Sequence, residues 1–247
     1  MKGEINISKE DVNSKDKKVV DMSNDYVFKK IFNTPEYIKA FYEAMFKETV
    51  DGVQIVEGTQ LVSEDIYGKS PILDCLAILD DVVFHMEMQN KLTKDFIKRV
   101  LYCAFALVVR FVRKGSEYGD IGKARVVWIV DGAITKEDKI YVDKMENIWK
   151  LKQSLVGSEL VEIYIIELPK LMKDKFKTYD IKDKFNQMVY MIKGKEEDEN
   201  MEAIKQMNPI VEEITKTVRR LTEDEMTQIE MWRQEECERA GIEKIGI

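Results

Sequence analysis

The sequence predicts an α/β protein, a sheet flanked by helices with a helical extension towards its C-terminal end. Three observations carry this. Residues 72–89, ILDCLAILDDVVFHMEMQ, alternate as a β-hairpin about Asp80-Asp81, the turn-like dipeptide between two apolar runs. The β-branched runs at 124–129 and 161–168 read as buried strands. Apolar residues at helical spacing lie before, between and after these strands. A chain of 247 residues, 45% hydrophobic and 34% charged, can hold one sizeable core or one domain with an appendage.

Taken in order, residues 1–20 are polar and aperiodic, expected to form a flexible leader, and they lack the apolar stretch of a secretory signal. Ser23 or Asn24 caps a first helix with Asp25 in its opening turn and Phe28, Ile31 and Phe32 on its apolar face. Pro35 starts a second, which carries Tyr37, Ile38, Phe41, Tyr42, Met45 and Phe46. After Asp51-Gly52 come a short strand at 53–56 and a loop at 68–71. Beyond the hairpin, Thr93 caps a helix over 94–114, closed by Gly115. Its middle, VLYCAFALVV, is apolar nearly all round, which predicts burial on most sides. Residues 146–155 are expected to be helical with Trp149 and Leu151 as anchors, and 183–192 form an amphipathic helix. The charge run at 195–200 reads as a solvated linker. Two helices follow Pro209, the second begun by a Thr222/Glu225 capping box. Their apolar stripe is thin and their acids many, so a protruding tail used for self-association, or only partly ordered, is expected. The organisation is thus a leader (1–20), a main domain (21–194) and an acidic helical tail (195–247).

Within the hairpin, a two-residue turn pairs Leu79 with Val82 and sets Asp74 opposite Glu87. Leu73, Cys75, Ala77, Leu79, Val82, Phe84, Met86 and Met88 share a wholly apolar face. The other face gathers Asp74, His85, Glu87 and Gln89 at its open end. Two ionised carboxylates placed across a strand pair repel. A raised pKa or a bridging hard cation offsets that repulsion; the alternative is a solvated edge whose acids never meet. Two acids with a hydrogen-bonding residue two positions on is what metal-dependent phosphodiester cleavage needs. Mg²⁺ takes one or two carboxylates plus substrate phosphate, and Gln89 can orient a water though it cannot be its base.

The net charge of −7 is a poor guide to partners. Residues 195–247 hold 8 basic and 15 acidic residues, which leaves 31 of each sign before them. Between 91 and 114 seven basic residues (Lys91, Lys94, Lys98, Arg99, Arg110, Arg113, Lys114) face one acid, Asp95. Such a local excess suits a phosphate backbone, or else ordinary solvated helix ends. Lys29 and Lys30 carry the same two readings. A single histidine argues against His-based zinc sites and a Ser-His-Asp triad. Cys75, Cys103 and Cys237 lack metal-ligand spacing, as expected for reduced cytoplasmic thiols. No apolar run reaches the roughly 18 residues that span a bilayer.

Asp25–Phe32 (DYVFKKIF), the Leu73-Asp74 pair, His85–Gln89 (HMEMQ), FIKRVLY at 96–102 and IIELPKL at 165–171, in that order and spacing, resemble the PD-(D/E)xK nuclease family transposases, the recombination-promoting nucleases. The likeness covers residues 22–195. It implies a restriction-endonuclease-like mixed sheet flanked by helices and a Mg²⁺-dependent DNA endonuclease, with Mn²⁺ as an alternative ion, linked to recombination between mobile elements. By the same resemblance Asp74 and Glu87 are metal ligands and catalytic acids, and Asp25 is the acid contributed by the first helix. Asp25 is alternatively a favourable charge at a helix N-terminus. Gln89 stands where the ExK pattern has Lys, so a Lys there is expected to be tolerated. Lys91, Lys94, Lys98 and Arg99 are the candidate DNA contacts, Arg99 alternatively a partner of Glu87. His85 reads as a hydrogen-bonded wall residue and Tyr102 as packing. Two rival functions stay open: a degenerate nuclease fold that binds DNA or protein, and a homo-oligomer organised by the C-terminal helices.

Overall fold

A computed structural model describes residues 22–56, 73–111, 122–134, 142–145, 148–151, 154–157, 160–195 and 198–220. The leader, the loop at 68–71, Gly115 and the Thr222/Glu225 capping box lie outside the described residues. Helix α1 (Asp25–Phe32) is capped by Asn24, whose side chain accepts from the N–H groups of Tyr26 and Val27. Helix α2 (Pro35–Phe46) has its proline in the first turn and ends at Lys47 in the left-handed region. Strands β1 (Val53–Ile55), β2 (Cys75–Leu79) and β3 (Val82–Gln89) form an antiparallel meander.

The turn falls where the sequence puts it, with Leu79 facing Val82 and Cys75 facing Met86. Asp80 takes φ 52°, which aspartate tolerates better than most residues. Its carboxylate accepts the Gly52 N–H at 2.7 Å, so the turn is tied to the start of β1.

Helix α3 (Phe96–Phe111) crosses over from β3 to the parallel strand β4 (Ala124–Val130). Strands β5 (Val142–Met145), β6 (Ile148–Leu151), β7 (Ser154–Gly157) and β8 (Val161–Glu167) follow. β8 pairs parallel with β4 and antiparallel with β5, which completes a mixed six-stranded sheet of order β1-β2-β3-β4-β8-β5. β6 and β7 make a separate hairpin. Within the stretch 146–155, where helix was expected, residues 148–151 and 154–155 are therefore strand. Pairing of Ile148–Leu151 with Ser154–Gly157 satisfies the backbone between the two strands and overrides the helical reading.

Helices α4 (Leu168–Asp174), α5 (Lys184–Lys193), α6 (Glu199–Met207) and α7 (Pro209–Arg219) close the chain as described. Two apolar cores sandwich the sheet. Phe28, Phe32, Ile38, Phe41, Ala77, Phe84, Met86 and Ile129 join residues of α5, α6 and α7 on one side. Leu76, Val126 and Trp128 meet Phe96, Val100, Cys103 and Leu107 of α3 on the other. Leu73, expected on the first face, belongs to the second core because the chain bends at Asp74 before the ladder begins.

Two further expectations change. α3 buries only the stripe Phe96, Val100, Cys103, Ala104 and Leu107; Tyr102, Phe105 and Val109 are exposed on its outer side. The sheet reaches one face of a helix, however apolar the others are. The described part of the expected tail, α6 and α7, does not protrude, since Met201, Ile204, Val211 and Ile214 are buried against α1, α2 and α5. The segment expected to be a linker supplies the start of α6: Asp198 caps it, accepting the Asn200 N–H at 2.9 Å, and Glu199 and Glu202 favour its N-terminal dipole. No helix among the described residues is long and apolar enough to cross a membrane.

Candidate active site

The C-terminal ends of parallel strands are where open α/β sheets expose their loops and helix starts. Here that rim carries Gln89 on β3, Asp131 just past β4 and Glu167 on β8, and the N-terminus of α1 stands beside it. Ion pairs line it. Lys193 reaches Asp131 at 3.0 Å and the Ser23 hydroxyl at 3.2 Å, and the buried Lys170 reaches the equally buried Glu167 at 2.6 Å.

At the hairpin's open end Asp74 and Glu87 meet as the register requires. The Asp74 N–H donates to Glu87 Oε2 at 3.2 Å, and the Met88 N–H donates to Asp74 Oδ2 at 2.9 Å. Both acids are buried, to 5% and 1% exposure, so the solvated-edge reading does not describe them. Burial, together with the negative charges of Glu87 and Asp25, pushes the Asp74 carboxyl well above the usual carboxylate range, and Lys29 only partly opposes this.

Asp25 opens α1 with its side chain largely covered, and one turn later Lys29 bridges the two acids. Its Nζ lies 2.9 Å from Asp25 Oδ2 and 3.0 Å from Asp74 Oδ1. Burial works to lower the Lys29 ammonium, yet Asp74 and Asp25 together hold it above the usual lysine range. The sequence signal for this contact was the i,i+4 spacing of Asp25 and Lys29. The reach to Asp74 depends on where α1 docks, which sequence does not reveal.

Glu87 is held from the other side. Arg99 Nη2 donates to its Oε1 at 2.5 Å while Nη1 donates to Gln89 Oε1 at 2.7 Å. The guanidinium carbon lies 5.2 Å from the Trp128 ring centroid. His85 is fully buried, with Nε2 3.2 Å from Glu87 Oε2 and its ring edge-on to Trp128, the wall position expected of it. Because a carboxylate only accepts, Nε2 carries the hydrogen. Gln89 is engaged at both ends, since its Nε2 donates to the Lys91 carbonyl at 2.7 Å. Tyr102 is 47% exposed and is not the packing residue expected. Lys91, Lys94 and Lys98 are exposed on the loop and first turn that leave β3, Lys98 beside Asp95 at 2.8 Å. Nearby, burial and the Glu87 charge push the Cys103 thiol up to about 11 against the opposing pull of Arg99, so it stays protonated and inert.

A model of the PD-(D/E)XK nuclease family transposases matches residues 22–244. The chain belongs to that family. No curated protein and no solved structure matches it. The mixed sheet with flanking helices is the restriction-endonuclease-like arrangement of PD-(D/E)XK nucleases. Membership supports a nuclease or transposase-like function, with DNA as the substrate the family implies. PD-(D/E)XK nucleases generally use divalent metal ions. Among the described residues no three His, Cys, Asp or Glu side chains converge to hold a metal. Asp74 and Glu87 converge as a pair, and an all-oxygen pair of carboxylates fits a hard cation that completes its shell with water and phosphate.

Proposed function

We propose that the protein is a Mg²⁺-dependent DNA endonuclease, with Mn²⁺ able to substitute, acting in recombination of mobile elements in the cytoplasm. The observation that carries this reading is the buried convergence of Asp74 and Glu87 on neighbouring chain segments at the rim of a family-matched sheet. When bound between them, a divalent cation neutralises charge on a scissile phosphate and lowers the pKa of a water. Glu87 is fixed for that role by three donors, the Asp74 N–H, His85 and Arg99. Gln89, which holds Arg99 with its oxygen, aligns the guanidinium and through it the carboxylate. Asp25 adds the third negative charge from α1. Lys91, Lys94 and Lys98 supply backbone contacts that position the duplex.

Supercoiled plasmid incubated with the full chain tests this. Conversion to nicked or linear DNA in Mg²⁺ or Mn²⁺, abolished by chelator, is expected. Intact plasmid under all ions would contradict it.

A second reading, a nuclease fold that binds DNA or a protein without cutting, draws on one specific observation. All four carboxylate oxygens of Asp74 and Glu87 already have a donor within the chain. Calorimetric titration with Mn²⁺ separates the two readings, because only the nuclease must bind the ion. Self-association through the C-terminal helices is also proposed from the sequence. Within the described residues α6 and α7 bury their apolar faces inside the subunit, so the stretch beyond 220 would have to carry it.

A further inference from the structure

We infer that Lys29 is the resident cation of this acidic site, and that a divalent ion binds Asp74 only by displacing its ammonium group. The inference rests on the metal-dependent reading above and adds what regulates occupancy of that site.

The two oxygens of Asp74 are held differently. Oδ2 is tied to the Met88 N–H at 2.9 Å, a backbone contact that cannot move without distorting β3. Oδ1 is the oxygen free of that backbone contact, and the Lys29 ammonium sits on it at 3.0 Å. The same ammonium lies 2.9 Å from Asp25 Oδ2. A cation that takes Asp74 Oδ1 and draws in Asp25 therefore needs the position that Lys29 fills.

Lys29 is the cation that competes for Asp74, whereas Arg99, although more exposed, holds Glu87. The Lys29 side chain is 19% exposed, and four rotatable methylenes connect it to a helix whose backbone is fixed by Phe28 and Phe32 in the core. Swinging the head group to solvent leaves that backbone in place. Arg99 is locked by three contacts at once: Glu87, Gln89 and the Trp128 ring. The charges favour the exchange. With Asp74 ionised, as a bound cation requires, Asp25, Asp74 and Glu87 count formally −3 against +2 from Lys29 and Arg99, which leaves −1. With Arg99 and a divalent ion in place the formal charges cancel, and the Lys29 head group is released to solvent.

Calorimetric titration of Mn²⁺ into the full chain, with thermal melting of the same samples, tests this on the parent, Lys29→Met and Lys29→Gln. The second variant keeps an N–H donor in case the first does not fold. Removing the competitor should lower the melting temperature without metal, tighten Mn²⁺ binding roughly tenfold, as loss of one charged hydrogen bond implies, and enlarge the Mn²⁺-induced rise in melting temperature. Mn²⁺ binding in the parent with unchanged or weaker affinity in the variants would overturn this inference and leave the metal reading standing. Absence of Mn²⁺ binding in all three proteins would overturn the metal reading, and this inference with it.

Discussion

At the scale of single residues, the site is an arrangement of charges whose partners decide what each substitution does. On sequence grounds Gln89→Lys restores the commoner ExK pattern and is expected to be tolerated. In the structure Gln89 Oε1 accepts from Arg99 at 2.7 Å, so a Lys there sets an ammonium against a guanidinium. Gln89→Lys should slow plasmid cleavage by roughly tenfold or more, since it repels the group that fixes Glu87; a cleavage rate equal to the parent's would show that Arg99 needs no such anchor. A second residue reports on pH. Burial alone would raise Asp183, but Lys47 at 2.7 Å and the N–H groups of Asn186 and Phe185 hold it below the usual aspartate range. Its charge therefore stabilises the fold above the ordinary aspartate pKa, and the contribution is lost as pH falls through the lowered value. Asp183→Asn should cost about 0.5–1 kcal/mol at neutral pH, discounted for a third of the side chain being exposed. The deficit should shrink as pH drops below about 4. Urea unfolding of parent and variant across pH 3–7 checks this, and a deficit independent of pH would assign the loss to the cap alone. The pairing of Asp74 with Glu87 was legible because Asp80-Asp81 fixes the register. The Lys29 bridge was not, because it joins a helix to the bend before β2, 45 positions away in the chain.

At the scale of elements, the sequence names strands well where both faces are buried and helices well where a cap and a stripe coincide. α1, α2 and α5 are of the second kind, with Asn24, Pro35 and Asp183 marking their starts. The failures have physical causes. The strands on either side of 152–153 pair with each other, and Asp198 of the expected linker caps α6, with Glu199 in its first turn. The same acids hid a tertiary fact, that Ile204 and Ile214 are fully buried and that Asn208 bonds Gln187 of α5 at 2.9 Å inside the protein. The sequence alone predicts that removing residues 195–247 leaves the core intact. The packing of α6 and α7 predicts instead that this truncation exposes the core and abolishes a cooperative melt, and that Ile214→Ala alone costs about 2–5 kcal/mol. A truncated protein that melts cooperatively near the parent temperature would mean that α6 and α7 are dispensable cover.

At the scale of the whole molecule, the net charge of −7 means that the proposed DNA substrate has to be held through local charge. Lys91, Lys94 and Lys98 project from one loop and helix start beside the acidic pair, and Lys98 is partly neutralised by Asp95. Reversing all three to Glu should weaken duplex binding and flatten its salt dependence by about 0.9 log units of affinity per log unit of salt for each DNA phosphate that is no longer neutralised. Fluorescence anisotropy across a salt series reads both effects, and an unchanged slope would remove this loop from the DNA path. The central claim is more specific: the buried pair of carboxylates performs metal-dependent cleavage. It is tested most directly by the rate of plasmid cleavage in Mg²⁺ for the parent, Asp74→Asn and Glu87→Gln, each shown by melting to be folded. These amide variants keep an oxygen for the Met88 and Asp74 N–H groups while removing the charge. Cleavage should fall by at least about a thousandfold in both variants, in line with removing electrostatic stabilisation from a transition state. Parental rates in either folded variant would contradict that claim.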